Sequence, residues 1–270
     1  MTERIDWEAA ADPRRRVGHA VEFHPTIGST LDRARELLAR PDGEGYAVVA
    51  DEQTAGRGRR GRIWLSPAGV NLMTSVALHP RVAVERAWWL AAASALAVRS
   101  ACEPWAALSV RWPNDLVTAE GAKVAGILVE TALSDGQLAE AVIGMGINVN
   151  WRRSDMPIEI AAGASSLADV AGSDVDRVAL LRRLLGALDV EMAAIEAGVS
   201  PLERFRAASG LTGREVEVVL GDGESLRGRA AGIDDDGALV VDSHSGRRAL
   251  HQAEVVRVVE LAGSAAGAPG

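Results

Sequence analysis

The pattern of the chain changes at Gly210 to Gly213. Before that point strand candidates alternate with helix candidates. After it come five short strand candidates, separated by turns at Gly221-Asp222-Gly223, Asp234-Asp235-Asp236-Gly237 and Ser243-His244-Ser245-Gly246. About 50 residues made only of short strands are best accommodated as a small closed barrel. Residues 211–261 are therefore read as a second domain and 21–210 as the first, with 1–20 a lightly attached lead-in. Residues 262–270 contain only Ala, Gly, Ser and Pro, a composition too small and polar to pack, and are expected to be disordered.

Within the first domain, residues 21–23 read as a short strand. Ser29-Thr30-Leu31-Asp32 has the spacing of a capping box, opening a helix that ends at Pro41-Asp42-Gly43. Strands are expected over 46–50, 70–78 and 108–112, the last stopped by Pro113-Asn114-Asp115. A hairpin joins 124–131 to 138–150 through Ser134-Asp135-Gly136. Helices are expected over 84–101, 175–197 and 202–208.

Composition removes several function classes. With 270 residues and 48% hydrophobic content the chain can bury a sizeable core. A net charge of -8 and a pI near 5.2 argue against a general nucleic-acid binder. Cys102 is the only cysteine, which excludes an intrachain disulfide and fits a reducing cytoplasm. The longest apolar run, 87–98, is too short to span a membrane, and residues 1–20 contain no signal-peptide core.

Against that acidic background stands one basic stretch, Gly56-Arg57-Gly58-Arg59-Arg60-Gly61-Arg62, directly after a strand end. Glycines let backbone N–H groups approach a ligand, and arginine offers forked donors that suit phosphate or carboxylate. Taken alone, such a loop could equally be solvated and flexible. Three further segments interrupt good strands with polar residues or glycines: Arg111 to Leu116, Gly121 to Glu130, and Gly144 to Asn150. Each reads as half pocket and half core.

Glu52-Gln53-Thr54-Ala55 with the arginine loop, then RWPNDL, GAKVAGILVE and GMGINVN, occur in an order that resembles the biotin protein ligases. The strand-only tail resembles the small SH3-like C-terminal domain of that family. The resemblance implies an α+β fold, a mixed β-sheet with flanking helices, related to class II aminoacyl-tRNA synthetases. It implies ATP-dependent attachment of biotin, through biotinyl-5'-AMP, to a lysine of a biotin carboxyl carrier domain of acetyl-CoA, acyl-CoA or pyruvate carboxylase. Mg2+ is expected with ATP, and biotin as substrate. Only about 20 residues precede the match, fewer than a DNA-binding winged helix needs, so no DNA partner is expected.

The same resemblance assigns residues. Lys123 would bridge biotin's carboxylate and the α-phosphate, offsetting the repulsion of two anions. Arg59 would face the adenylate, and Arg57 and Arg62 would hold phosphates. Ser29, Thr30 and Gln53 would meet the ureido ring, with Gly56, Arg57, Arg59, Lys123, Gly126, Ile127 and Gly144 also around biotin. Trp64 would stack on adenine, unless it is a core anchor, and Asn114 and Asn148 would contact the nucleotide. Asp115 keeps three readings: a magnesium ligand, a positioner of the incoming lysine amine, or the residue that ends a turn. Cys102 lies away from every motif, which separates this chain from octanoyl transferases that carry the acyl group on cysteine.

Fixing about ten loop residues costs on the order of 10 to 20 kcal/mol. Charge-assisted hydrogen bonds return ~1.5 to 3 kcal/mol each. Biotin's one carboxylate supplies few of them, so the loop is expected to close on ATP or the adenylate. Two rivals remain: a lipoate-type acyl ligase of the same fold, and a non-catalytic anion- or nucleic-acid-binding protein.

Overall fold

The computed structural model describes residues 5–221, 223–251 and 253–259. Its first sheet contains β1 (Val21–Ile27), β2 (Ala47–Gln53), β3 (Leu72–Leu78), β4 (Ser109–Arg111), β5 (Asp115–Val117), β6 (Lys123–Ser134) and β7 (Gln137–Ile147). They lie in the order β1-β2-β3-β7-β6-β5-β4. Only β1 and β2 run parallel; the remaining neighbours are antiparallel. The sheet is mixed, as expected.

Helices cover both faces. On one, α1 (Thr30–Leu38) lays Leu31, Ala34, Leu37 and Leu38 against Val48, Ala77 and Val142. On the other, α2 (Trp88–Cys102) and α5 (Arg177–Glu196) bury Leu90, Ala93, Leu181, Leu184 and Leu188 with Leu72, Val76 and Ile143. The apolar run 87–98 thus becomes the core of α2, buried between sheet and α5. Shorter helices α3 (Ile158–Ala161), α4 (Leu167–Ala171) and α6 (Leu202–Ser209) complete the domain. Among the described residues no helix is long and apolar enough to cross a membrane.

Two sequence expectations change. Ser29 occupies the N-cap of α1 but makes no side-chain cap bond, and Asp32 turns its carboxylate to Arg57 instead of back to Ser29. The capping box is not formed. The strand expected over 108–112 does stop at Pro113-Asn114-Asp115: β4 ends at Arg111, and Asp115 ends the turn and begins β5, which turns back on β4.

Residues 7–20 are not a loose lead-in. Trp7 is 2% exposed and stacks on Phe23, and Ala10 and Val17 are fully buried. Arg16 pairs with Glu44 and Glu196, and Arg177, buried beneath Trp7, pairs with Asp51 at 2.8 Å. Scattered charges hid this segment's packing because its few apolar residues follow no helix or strand period.

The second sheet comprises β8 (Glu215–Leu220), β9 (Ser225–Ile233), β10 (Leu239–Ser243), β11 (Gly246–Leu250) and β12 (Ala253–Val259), in the order β11-β10-β9-β8-β12 and antiparallel throughout. Alternate residues, among them Val216, Val218, Leu226, Ala230, Leu239 and Val241, face one shared core. The described pairings leave β11 and β12 as the two ends. The turn at 234–237 docks on the first domain. Trp112 Nε1 donates to Gly237 O at 3.0 Å, and Arg206 donates to Ile233 O and pairs with Asp235. A Cβ on Gly237 would stand 2.5 Å from Trp88, so glycine permits that approach. The expectation for residues 262–270 lies outside the described residues.

Candidate active site

Strand register sets the floor of the site. Ala50, Met73, Gly146, Gly126 and Asp115 form one row across β2, β3, β7, β6 and β5. Residues in one row share a face. The next row on that face holds Val48, Ser75, Gly144 and Leu128. Trp64 lies on the adjacent pair Gly126 and Gly146. A Cβ on Gly146 would stand 2.6 Å from the indole, and one on Gly126 3.0 Å from it. Gly144 serves differently from its expected place beside biotin: Leu31 of α1 fills the space where its Cβ would be, at 2.8 Å. It still lines the pocket.

A register shift between Leu116 and Val117 in the β5–β6 pairing places Lys123 at a bulge, a device that re-aims a side chain. Its backbone is clamped by Gly163 and Ser165, and its ammonium turns back to Asp115. Lys123 Nζ stands 2.7 Å from Asp115 Oδ1, and Arg111 Nη2 stands 3.0 Å from Oδ2. Lys123 also stands over the Trp64 ring at 5.3 Å. Both oxygens of Asp115 are thereby engaged by cations. No group of three or more His, Cys, Asp or Glu suited to a metal occurs among the described residues. Asp115 is thus the partner of two cations at the floor of the site.

The arginine stretch folds as a hairpin over this floor. Arg57 and Ile63 form a bridge, Trp64 N donates to Gly56 O, and Gly58 N donates to Arg62 O. At the tip Arg60 and Gly61 take positive φ. Arg59 Nη1 donates to Asn114 Oδ1 at 3.3 Å, and Asn114 Nδ2 in turn donates to Ile127 O at 2.6 Å. Arg60 reaches Leu220 O of the second sheet, and Val255 of β12 lines the pocket.

Arg57 departs from its expected role at a phosphate. Its two terminal nitrogens bind the Asp32 carboxylate at 2.8 and 2.7 Å, and its Nε stands 3.6 Å from Glu130. Arg35 joins the same two carboxylates, closing a four-residue ring between α1, β6 and the base of the hairpin. The hydrogen bond from Arg57 holds the Asp32 carboxyl below the usual carboxylate range. Arg62 lines the pocket beside Arg59.

At the α1 end, polar groups collect. Thr30 N donates to Gln53 Oε1 at 2.8 Å, and Thr30 Oγ1 lies 3.0 Å from the same oxygen and 2.7 Å from Ser75 Oγ. With Gln53 Oε1 taken, its amide nitrogen is the group left to donate to a ligand. Ser29 is buried, and its hydroxyl finds no protein partner. Asn148 is not brought to the pocket. It is 5% exposed, and its amide nitrogen donates to Ser165 O at 3.1 Å, tying the strand end to the segment behind Lys123. Cys102 is fully buried, and burial pushes its thiol up to about 12.

The pocket so built joins Thr30, Gln53, Arg57, Arg59, Arg62, Trp64, Asn114, Asp115, Lys123, Gly126, Ile127 and Gly144. Residues 26–148 match the model of the biotin/lipoate A/B protein ligase family, and 211–258 match the biotin protein ligase C-terminal domain. The biotin–[acetyl-CoA-carboxylase] ligase of Mycobacterium tuberculosis is 36% identical over 227 residues, covering 80% of this chain and 82% of that one.

The chain belongs to the biotin protein ligase family. Another ligase of that description, from Paracoccus denitrificans, is 35% identical over 234 residues, with 84% and 96% covered. Among solved structures, biotin protein ligase from Aquifex aeolicus in complex with biotin and ATP aligns with a TM-score of 0.75 at 30% identity, covering 88% of this chain and 98% of that one.

Sequence reading missed several groups of this biotin protein ligase site. Ser75 sits beside Thr74 in an otherwise apolar, fully buried strand, where no local signal tells which of the two hydroxyls faces the pocket. Arg111 was visible within RWPNDL, four residues from Asp115, but a strand end gave no sign that the two side chains meet. Val255 belongs to the second sheet, and no local pattern reports a contact between domains.

Proposed function

We propose that the chain joins biotin to a lysine of a biotin carboxyl carrier domain in two steps, through biotinyl-5'-AMP. The observation that carries this reading is that a single pocket is lined by Lys123, Arg59 and Arg62 together with the polar cluster of Thr30, Gln53 and Ser75. A urea group needs a donor for its carbonyl and acceptors for its N–H groups. Gln53 Nε2 and the hydroxyls of Thr30 and Ser75, which line the pocket, supply those types. Gly126 and Ile127 line the same pocket and leave room for biotin's chain.

In the first step an oxygen of biotin's carboxylate attacks the α-phosphorus of ATP, and diphosphate leaves with the bonding electrons. Lys123 stands where its charge offsets that of carboxylate and phosphate, a contribution that grows as charge concentrates in the transition state. Arg59 and Arg62 offer further donors to phosphate oxygens, while Arg57 holds the hairpin base. Trp64 offers a flat face to adenine, and Asn114 fixes both Arg59 and the Ile127 backbone. Mg2+ arrives with ATP as part of the substrate. In the second step the carrier's neutral amine attacks the biotinyl carbonyl, the C–N bond forms, and AMP leaves. The unpaired, buried Cys102 suits a reducing cytoplasm and takes no part.

Mixing the chain with ATP, a purified carrier domain of acetyl-CoA carboxylase and either biotin or lipoate tests the reading. Biotin on the carrier lysine and no lipoylation is the expected result. Lipoylation instead, or strong nucleic-acid binding without any transfer, overturns it.

A further inference from the structure

Lys123 is the only lysine in the 270 residues; the other basic residues among the 29 lysines and arginines are all arginine. If the chain makes a biotinyl mixed anhydride, as the reading above holds, it handles a compound that acylates amines. A guanidinium stays protonated and offers no such nucleophile. Arg57, Arg59 and Arg62 line the pocket. Arg59 and Arg62 bring positive charge to the intermediate without bringing an acceptor for it. Lys123 is the exception, because its amine lies inside the pocket where the anhydride forms.

That amine is held. Its Nζ is 2.7 Å from Asp115 Oδ1, Asp115 is kept in place by Arg111 at 3.0 Å, and the Asp115 side chain is only 11% exposed. The flat glycine at 126 leaves the amine room to lie there: a Cβ would stand 3.1 Å from Nζ. We propose that Asp115 guards Lys123, keeping the chain's single ε-amine as a paired ammonium so that the enzyme does not acylate itself. An ammonium has no lone pair to give to a carbonyl. Once released from Asp115, Nζ of Lys123 attacks the biotinyl carbonyl, and a proton of the attacking amine passes to water. A C–N amide bond forms, the C–O bond to phosphate breaks, and AMP leaves with that electron pair. The product is a chain that has lost its own cation.

Peptide mapping after exposure to preformed biotinyl-5'-AMP, without carrier, reads this directly, since one lysine leaves no ambiguity of position. Supplying the intermediate separates this test from the chain's ability to make it. Wild type is expected to remain unmodified at position 123. Asp115→Asn and Asp115→Ser, each confirmed folded by a cooperative melt, are expected to acquire one biotin on Lys123. Biotin on Lys123 of the wild type overturns the proposal, and so does failure of both Asp115 variants to acquire it.

Discussion

Lys123 Nζ and Asp115 Oδ1 lie 2.7 Å apart on neighbouring strands, with the bulge in the β5–β6 pairing bringing them together. The cation is thus presented to the pocket at a fixed place rather than on a free four-carbon stem. Lys123→Met should slow adenylate formation by about 10²- to 10³-fold, the loss usual for removing one group that stabilises transition-state charge. Transfer from supplied biotinyl-5'-AMP should fall far less. Equal losses in the two half-reactions, measured separately, would show that Lys123 does not act on the phosphate-forming step.

Gly146 and Gly144 are alike in sequence and opposite in use. Gly146→Ala drives a methyl into Trp64, whereas Gly144→Ala drives one into Leu31. Overpacking costs about 1–3 kcal/mol. The first should appear as a raised KM for ATP with biotin affinity less affected. The second should appear as a lowered melting temperature. Titrations of both variants with each substrate check the assignment.

Asp32 gives opposite expectations for two roles of Arg57. If Arg57 anchors the hairpin, Asp32→Asn loosens the loop and speeds adenylate release about two- to five-fold, the range for a partly exposed ion pair. If Arg57 is a phosphate ligand, the same substitution frees it, and ATP binds more tightly. The anchor is the expected outcome. The Asp32 carboxyl is held low by Arg57, so its contribution is present above the unfolded value of 3.8 and is lost as pH falls through the still lower folded value.

Much of this was legible in the sequence, for reasons that can be named. Strands β6 and β7 are runs rich in β-forming residues joined by the turn signal Ser134-Asp135-Gly136, and the apolar face of α1 has a plain helical period. The arginine hairpin shows itself by charge against an acidic chain. What escaped depends on contacts between distant segments. Trp7 and Val17 are buried by α5 and β1 without any local period. Asn148 looks like a pocket residue from its motif, yet its amide is drawn away by Ser165, a residue in a loop without pattern. Arg57 looks like its neighbours in the loop until Asp32 and Glu130 are seen around it.

Cys102 offers a separate check on the packing of α2. Burial raises its folded thiol to about 12 from 9.0, so its stabilising contribution is complete below pH 9.0 and is lost as pH rises toward the folded value. Melting temperatures of wild type should therefore fall more steeply above pH 9.0 than those of Cys102→Ala. Native chains should resist thiol reagents until unfolded, and rapid labelling of folded protein would contradict the buried placement.

Biotin-dependent exchange of labelled diphosphate into ATP, without any carrier, tests most directly that this pocket adenylates biotin. Exchange should require biotin, ignore lipoate, and collapse in Lys123→Met. Wild-type protein that binds biotin and ATP yet gives no exchange, or a Lys123→Met variant that exchanges at the wild-type rate, would contradict it.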